Sequence, residues 1–298
     1  MPEPLQVTAA EAGQKLLQFL SRRFEEPQSV LHRWIRTGQV RINGGRAKPF
    51  DRVELNDEIR VPPFAGAGTK AERVPASSGG KELPPIVAET ADVIVFCKPS
   101  GLPVHPGTGH TDSLTTRLEA AFAGSPFIPA PVHRLDRDTS GLMMFAKDEK
   151  TQRTLRDNWH EIVTDRRYVA VVEGTMEKDY DTVVSWLTDK TLYVSSSEYD
   201  DGGSKSITHY RTIKRANGYS LLELDLETGR KNQIRVHMQD LGHPIIGDGR
   251  YGGEDSPNPI GRLALHAFKL CFYHPVTGDL MEFETPYPGE FKKLFLKK

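Results

Sequence analysis

The sequence predicts an α+β protein, a mixed, largely antiparallel central sheet with flanking helices, preceded by a small α/β module. Three observations lead there. From about residue 86 to 298 strand-like and helix-like segments alternate, with a hairpin signal at Asn217-Gly218. No βαβ repeat carries a Gly-rich nucleotide loop, so Rossmann and P-loop architectures have no support. From 64 to 85 the chain turns to Gly, Ala, Ser and Pro with almost no large apolar residue, the composition of a flexible linker. The expected divisions are 1–63, 64–85 and 86–298.

The elements follow in order. Leu16, Leu17, Phe19 and Leu20 form the apolar face of a short helix. A second helix is expected from about Ser29 to Thr37, with Val30, Leu31, Trp34 and Ile35 apolar and Gly38 as its stop. The strand QVRIN (39–43), a Gly44-Gly45 turn and the strand DEIRVPP (57–63) complete the front module. Beyond the linker, ADVIVFCKP reads as a strand, SLTTRLEAAFAG as a helix and SGLMMFAK as a strand. KTQRTLRDNWHE reads as a helix and RRYVAVVEG as a strand. THYRTIKRANGYSLLELDLE is the hairpin, KNQIRVHMQDLG an amphipathic helix ending at Gly242, and LALHAFKLCFYHPVTGDLMEFETP two closing strands.

Composition narrows the function classes. With 37% hydrophobic and 27% charged residues this is an ordinary globular chain. Two cysteines, Cys97 and Cys271, are too few for a disulfide framework or a cysteine zinc site, and are expected as buried free thiols in a reducing compartment. The N-terminal MPEPLQVTAAEAGQ has neither a basic n-region nor a long apolar h-region, and no apolar run approaches bilayer length. A cytoplasmic protein without a membrane partner is expected. Net charge is −1, but seven basic residues between Arg22 and Lys48, Arg33, Arg36 and Arg41 among them, face only Glu25 and Glu26. That excess of five positive charges in 27 residues is either a solvated face or an RNA contact.

Three places carry candidate chemistry. HRLDRDTSGLMMFAK (133–147) packs five ionisable side chains into six positions before turning apolar at Leu142, with Thr139-Ser140-Gly141 bending the chain. Asp136, flanked by Leu135 and Arg137, has three readings: a structural ion pair, a metal ligand or a catalytic carboxylate. The histidines are scattered without HExxH or paired-Cys spacing, so no metal site is expected. In LETGRKNQIRVHMQDLGHPIIGDGRYG (226–252), Lys231, Arg235 and Gln239 fall four apart and so share one face of a helix. By spacing alone Arg235 is a surface charge and Tyr168, in DRRYVAVVEG, a core or rim tyrosine.

Together the pieces resemble one family. SVLHRWIRTGQVRING and LNDEIRVPP are similar to the S4 RNA-binding module. KPSGLPVHPG (98–107), HRLDRDTSGLMMFAK, RRYVAVVEG (166–174), TGRKNQIRVHMQDLGHPIIGDGRYG (228–252) and LALHA (263–267) occur in the order found in RluA-type pseudouridine synthases. The resemblance covers nearly the whole chain and is greatest to the branch acting on large-subunit ribosomal RNA, its C subgroup in particular. It implies the pseudouridine synthase fold with an S4-like domain at 1–63 and a catalytic domain at 86–298. It implies an isomerase that breaks the C1′–N1 glycosidic bond of uridine, turns the uracil and joins C1′ to C5, with no cofactor. Asp136 would act at C1′ or on the C2′ proton, paired with Arg235 at hydrogen-bond range. Tyr168 would stack on the uracil, and Arg134 would fill the gap left by the flipped base. Arg230 and Lys231, with Arg33, Arg36 and Arg41 in front, would bind RNA. Lys231-Asn232 depart from the family's Thr-His, a change expected to bear on a local RNA contact. A tRNA-directed synthase would keep every motif. A non-catalytic RNA-binding assembly factor would have no need of Asp136, and a metal-dependent hydrolase would need ligands the sequence lacks. A monomer is expected.

Overall fold

The computed structural model describes residues 4–8, 11–24, 26, 28–62, 82–106, 112–189 and 193–296. The chain divides into two compact units, Met1–Ala76 and Ser77–Lys298. The expected linker lies outside the described residues as far as 81.

The first unit runs β1 (Leu5–Gln6), α1 (Leu16–Arg23), α2 (Gln28–Arg36), β2 (Arg41–Ile42), β3 (Gly45–Arg46) and β4 (Glu58–Arg60), with sheet order β1-β4-β2-β3. Its core is Leu16, Phe19, Leu20, Leu31, Trp34 and Ile35 against Val40, Val53 and Ile59. Gly38 takes φ +74 just past α2, as a helix stop requires. The tight turn falls one residue earlier than expected. Asn43 and Gly44 both have positive φ, a pairing that suits the two-residue hairpin, and Gly45 already belongs to β3.

The second unit is built on β5 (Ile86–Glu89), β6 (Val93–Lys98), α3 (Leu114–Ala121), β7 (Ala130–Pro131), β8 (Ser140–Ala146), α4 (Glu149–Asp157), α5 (Trp159–Ile162), β9 (Val163–Glu173), β10 (Tyr180–Thr188), β11 (Ser195–Ser197), β12 (Ser204–Ala216), β13 (Tyr219–Leu226), α6 (Gln233–Asp240), β14 (Leu265–Tyr273), β15 (Leu280–Glu284) and α7 (Gly289–Lys293). The sheet order is β11-β10-β12-β13-β9-β14-β8-β6-β5, with β15 on β14 and β7 on β8. Among the described residues every pairing is antiparallel except β8 with β14. This is the mixed, mainly antiparallel sheet the sequence predicts. The β12–β13 hairpin turns at Asn217-Gly218, both at positive φ.

Four expectations shift. KTQRTLRDNWHE splits into α4 and α5 at Asn158, which leaves helical geometry at φ −113, ψ 27. The chain after Asp136 bends at Arg137-Asp138, and Ser140 and Gly141 already lie in β8. Gly141 is needed for another reason: at φ +120 it lies so close to Ala267 that any Cβ would overlap that residue's backbone. Of the two free thiols, Cys271 is buried and Cys97 only half-buried. Strands β10 and β11 lie where no element was expected. β10 alternates in burial, with Asp181, Val183, Ser185 and Leu187 on the more buried face, but its sequence puts apolar residues on both faces and so hides the strand.

One register line crosses the sheet and sets the site. Leu224 pairs with Tyr168, Tyr168 with Ala267, Ala267 with Gly141 and Gly141 with Lys98. The loop bearing Asp136 enters β8 next to that line.

Candidate active site

Asp136 lies in the loop between β7 and β8, anchored by buried Leu135 on one side and buried Thr139 and Ser140 on the other. A buried lysine holds the loop from beneath. Lys98 ends the apolar β6 with no exposed surface, and its Nζ donates to the carbonyls of Arg137 at 2.8 Å, Leu102 at 2.8 Å and Pro99 at 3.0 Å. Burial drives the ammonium down to about 7, against the pull of Asp138 and Asp136. Three carbonyl acceptors, however, are matched only by an ammonium with three donors. Ser100 Oγ adds a bond to the Asp138 carbonyl at 2.6 Å.

Asp136, Tyr168, Arg235, Arg134, Arg230 and Lys231 all line one cavity. Tyr168 is 7% exposed, and burial pushes its hydroxyl above the usual tyrosine range, so it stays protonated at neutral pH. Arg134 and Arg230 are exposed on the rim. Lys231 is exposed and ion-paired to Asp189 at 2.9 Å. It precedes the helix, because Asn232 adopts φ +56 and α6 begins at Gln233. Lys231 and Arg235 therefore do not share a helix face. Nor is α6 amphipathic: Gln233 to Met238 are all buried.

Burying those polar groups is possible because each finds partners. Gln233 donates to Ile207 O and Thr208 Oγ1, and accepts from Thr228 Oγ1 and the Arg230 N–H. The His237 ring is hydrogen-bonded to Ser185 and Thr208. Asn232, 6% exposed, accepts from Arg235 Nη1 at 3.0 Å and donates to Tyr251 Oη at 3.1 Å. The departure at Asn232 thus touches Arg235 from inside the protein; the expected local RNA contact is left to Lys231 alone.

The expected pairing of Arg235 with Asp136 at hydrogen-bond range is corrected. The two are 3.8 Å apart, and the planar fork is spent on Asp248, with Nε to Oδ2 at 2.7 Å and Nη2 to Oδ1 at 2.6 Å. The Asp248 side chain is wholly buried, and a buried carboxylate requires a bidentate partner far more than one that reaches solvent. Burial works against its ionised form, yet the Arg235 hydrogen bonds and the N–H groups of Tyr251 and Arg250 hold it below the ordinary carboxylate range. Asp136, with 20% of its side chain exposed, moves the other way. Burial raises it, although Arg235, Arg134 and Lys98 all favour its charge. Among the described residues no hydrogen bond ends on its carboxylate oxygens. Asp248 and Lys98 are invisible as partners in the sequence; their only signal is a charge inside an apolar or glycine-rich motif.

In the first unit, Arg33 and Arg36 line a groove with His32, Arg46 and Lys48. Arg41 stands in register with Arg46 on one side and Arg60 on the other. Like charges directly opposite one another repel across a sheet, so the row concentrates positive charge on this unit. Arg60 is a member of this row that the sequence does not single out.

Among the described residues no group of three His, Cys, Asp or Glu side chains could hold a metal ion, and no helix is long and apolar enough to cross a membrane. The RNA pseudouridylate synthase family model matches residues 92–240. The chain is 34% identical over 303 residues to ribosomal large subunit pseudouridine synthase C of Escherichia coli (strain K12), covering 98% of this chain and 95% of that protein. It is 33% identical over 299 residues to the RNA pseudouridine synthase YlyB of Bacillus subtilis (strain 168), covering 97% and 96%. Among solved structures, human RNA pseudouridylate synthase domain containing 1 has a TM-score of 0.58 at 24% identity, over 69% of this chain and 83% of that one, a likeness of fold. By sequence and by fold, the chain belongs to the RNA pseudouridylate synthase family.

Proposed function

We propose that the protein converts uridines of large-subunit ribosomal RNA to pseudouridine, with Asp136 as the carboxylate acting at the sugar. As a member of its family it is an RNA pseudouridine synthase, an isomerase. The ribosomal substrate rests on near full-length similarity to synthases named for it. The observation that carries the role of Asp136 is its carboxylate, free of hydrogen bonds and 3.8 Å from Arg235, in a cavity with Tyr168 and four arginines.

The reaction breaks C1′–N1, turns the uracil and forms C1′–C5, while the proton on C5 is exchanged for one on N1. The target base is first flipped out of the RNA, and Arg134 occupies the space it leaves. Asp136, ionised and partly desolvated, attacks C1′ or takes the C2′ proton, and Arg235 offsets the charge from 3.8 Å while staying locked to Asp248. Tyr168 stacks on the free uracil, and its hydroxyl relays the proton leaving C5, accepting it as its own proton passes to water. Arg230 and Lys231 contact RNA at the rim. The first unit is the S4-like module, gripping phosphates through Arg33, Arg36 and Arg41. The enzyme acts as a monomer in the cytoplasm, a reducing compartment that suits its two free thiols.

The test is to map pseudouridines in ribosomal and transfer RNA from cells with and without the protein. Sites lost only in large-subunit RNA support the proposal; sites lost only in tRNA overturn its substrate. A 2′-deuterium isotope effect on the cleavage step distinguishes C2′ proton removal from attack at C1′.

A further inference from the structure

One more guanidinium lines the Asp136 cavity, that of Arg166. It precedes Tyr168 by two residues on β9, so both leave the same face of the strand about 7 Å apart. Its neighbour Arg167 points the other way and is paired to Asp165 at 3.0 Å. Arg166 has no such partner: among the described residues no carboxylate or carbonyl accepts a hydrogen bond from it. Instead one of its faces rests on Trp159, and its fork faces Gly229. The guanidinium carbon lies 5.6 Å from the centre of the Trp159 ring. Against Gly229 it sits so close that a Cβ there would be 3.1 Å from Nη1. Gly229 has no left-handed φ, so what matters is the missing side chain.

Trp159 packs in turn against the His133 ring, tilted by 38° at 4.9 Å between centres. Burial drives that imidazole down to about 3, and Arg166 pushes it the same way, so the ring is neutral at working pH and adds no repelling charge behind the arginine. A planar cation stacked on one face, with no side chain in front of its fork at Gly229, keeps its edge donors available and loses little freedom in using them.

We propose that Arg166, stacked on Trp159 with its fork left open by Gly229, is the seat for a phosphate flanking the target uridine. The inference rests on the reading of Asp136 and Tyr168 above: with the uracil on Tyr168, one strand pitch puts Arg166 at backbone distance from the same nucleotide. It fixes the register of the flipped residue, as distinct from the general grip of the rim.

The test uses a short RNA with one target uridine, in which the phosphate on either side is singly replaced by a neutral methylphosphonate. Arg166→Gln should raise KM about tenfold, the loss of a charge-assisted hydrogen bond, while kcat changes less. The slope of log kcat/KM against log salt should shrink by about 0.7, one phosphate contact on a single strand. One of the two methylphosphonates should reproduce the KM defect in wild type, and Arg166→Gln should add nothing on that RNA. Arg166→Lys, keeping the charge without the stacked fork, should fall between. If Arg166→Gln leaves the salt slope unchanged, or worsens both methylphosphonate RNAs equally, Arg166 is structural and the proposal is overturned. Repeating the series as binding affinity in the Asp136→Asn background separates this result from the catalytic reading. No turnover in any arm with the phosphate coupling intact would sink the chemistry alone.

Discussion

Two loops present a carboxylate to Arg235, and the protein treats them in opposite ways. The 245–252 loop buries Asp248 completely and meets it with both arms of the guanidinium; the 132–139 loop keeps Asp136 one-fifth exposed and 3.8 Å from the nearest arm. The first carboxyl is held low and the second is raised. The two environments decide which of the two acids is available. A carboxylate whose lone pairs are filled by a bidentate arginine and two backbone N–H groups has no capacity left for a substrate. One that is desolvated without hydrogen bonds is more basic and unoccupied, and environments that push two carboxyls apart in this way divide structural from chemical roles.

The sharpest way to break the contrast is Asp136→Asn. Turnover should fall on the order of 10⁴-fold or more, as on loss of an essential nucleophile. Stability should not fall with it. A carboxyl whose folded pKa exceeds its unfolded value near 3.9 opposes folding once the pH rises past the unfolded value. At pH 7.5 the Asn variant should therefore melt no lower than wild type. A variant within tenfold of wild-type turnover, or one melting well below it, would falsify the assignment.

Asp248→Asn should do the reverse. The lowered pKa contributes stability that is present above the unfolded value and lost as pH falls through the folded one. Breaking a buried pair should cost about 3–5 kcal/mol, a Tm loss on the order of 10 °C, with turnover reduced because α6 loosens. Thermal melts from pH 3 to 8 should show the wild-type advantage narrowing at the acid end.

Tyr168 sharpens the chemistry. Tyr168→Phe keeps the stacking face and should slow only the late proton transfer, by roughly 10²-fold, leaving glycosidic cleavage detectable in a single turnover. Tyr168→Ala should lose both steps. Equal, full activity in both variants would return this tyrosine to the core.

The pH profile gives a smaller effect. The acid limb of kcat/KM should lie above the ordinary aspartate value, because burial raises Asp136, and Arg134→Gln should move it further up by removing a cation that favours the charge. The front module should affect kcat least. The triple variant Arg33→Gln, Arg36→Gln, Arg41→Gln should reduce the salt slope of RNA affinity by about 2 to 3 while turnover at saturation holds. An unchanged slope would make the basic run a solvated face.

What the sequence made legible was local. α1 follows from Leu16 to Leu20, and the β12–β13 turn from Asn217-Gly218, because such signals need only neighbours within a few residues. The alternation of DRRYVAVVEG places Tyr168 on a strand but does not distinguish Arg166 from Arg167; Asp165 does so, by pairing with the second. Arg235 stood out, but its partner did not, since Asp248 meets it only through a tertiary approach 13 residues away. Helix start was misjudged at Lys231 because left-handed Asn232 breaks a periodicity that the letters alone continue.

The lone parallel pairing bears on how the enzyme comes into being. Ser140 and His266 are neighbours in space and 126 residues apart along the chain, and their side chains are hydrogen-bonded at 2.7 Å. A growing polypeptide that has reached α6 already holds Asp136, Tyr168 and Arg235, and its hairpins can close early because their contacts are local. It lacks the strand beginning at Leu265, against which both β8 and β9 align. Competence therefore arrives in one late step of synthesis, and a fragment released before that strand emerges carries every reactive group without the register that makes them act together.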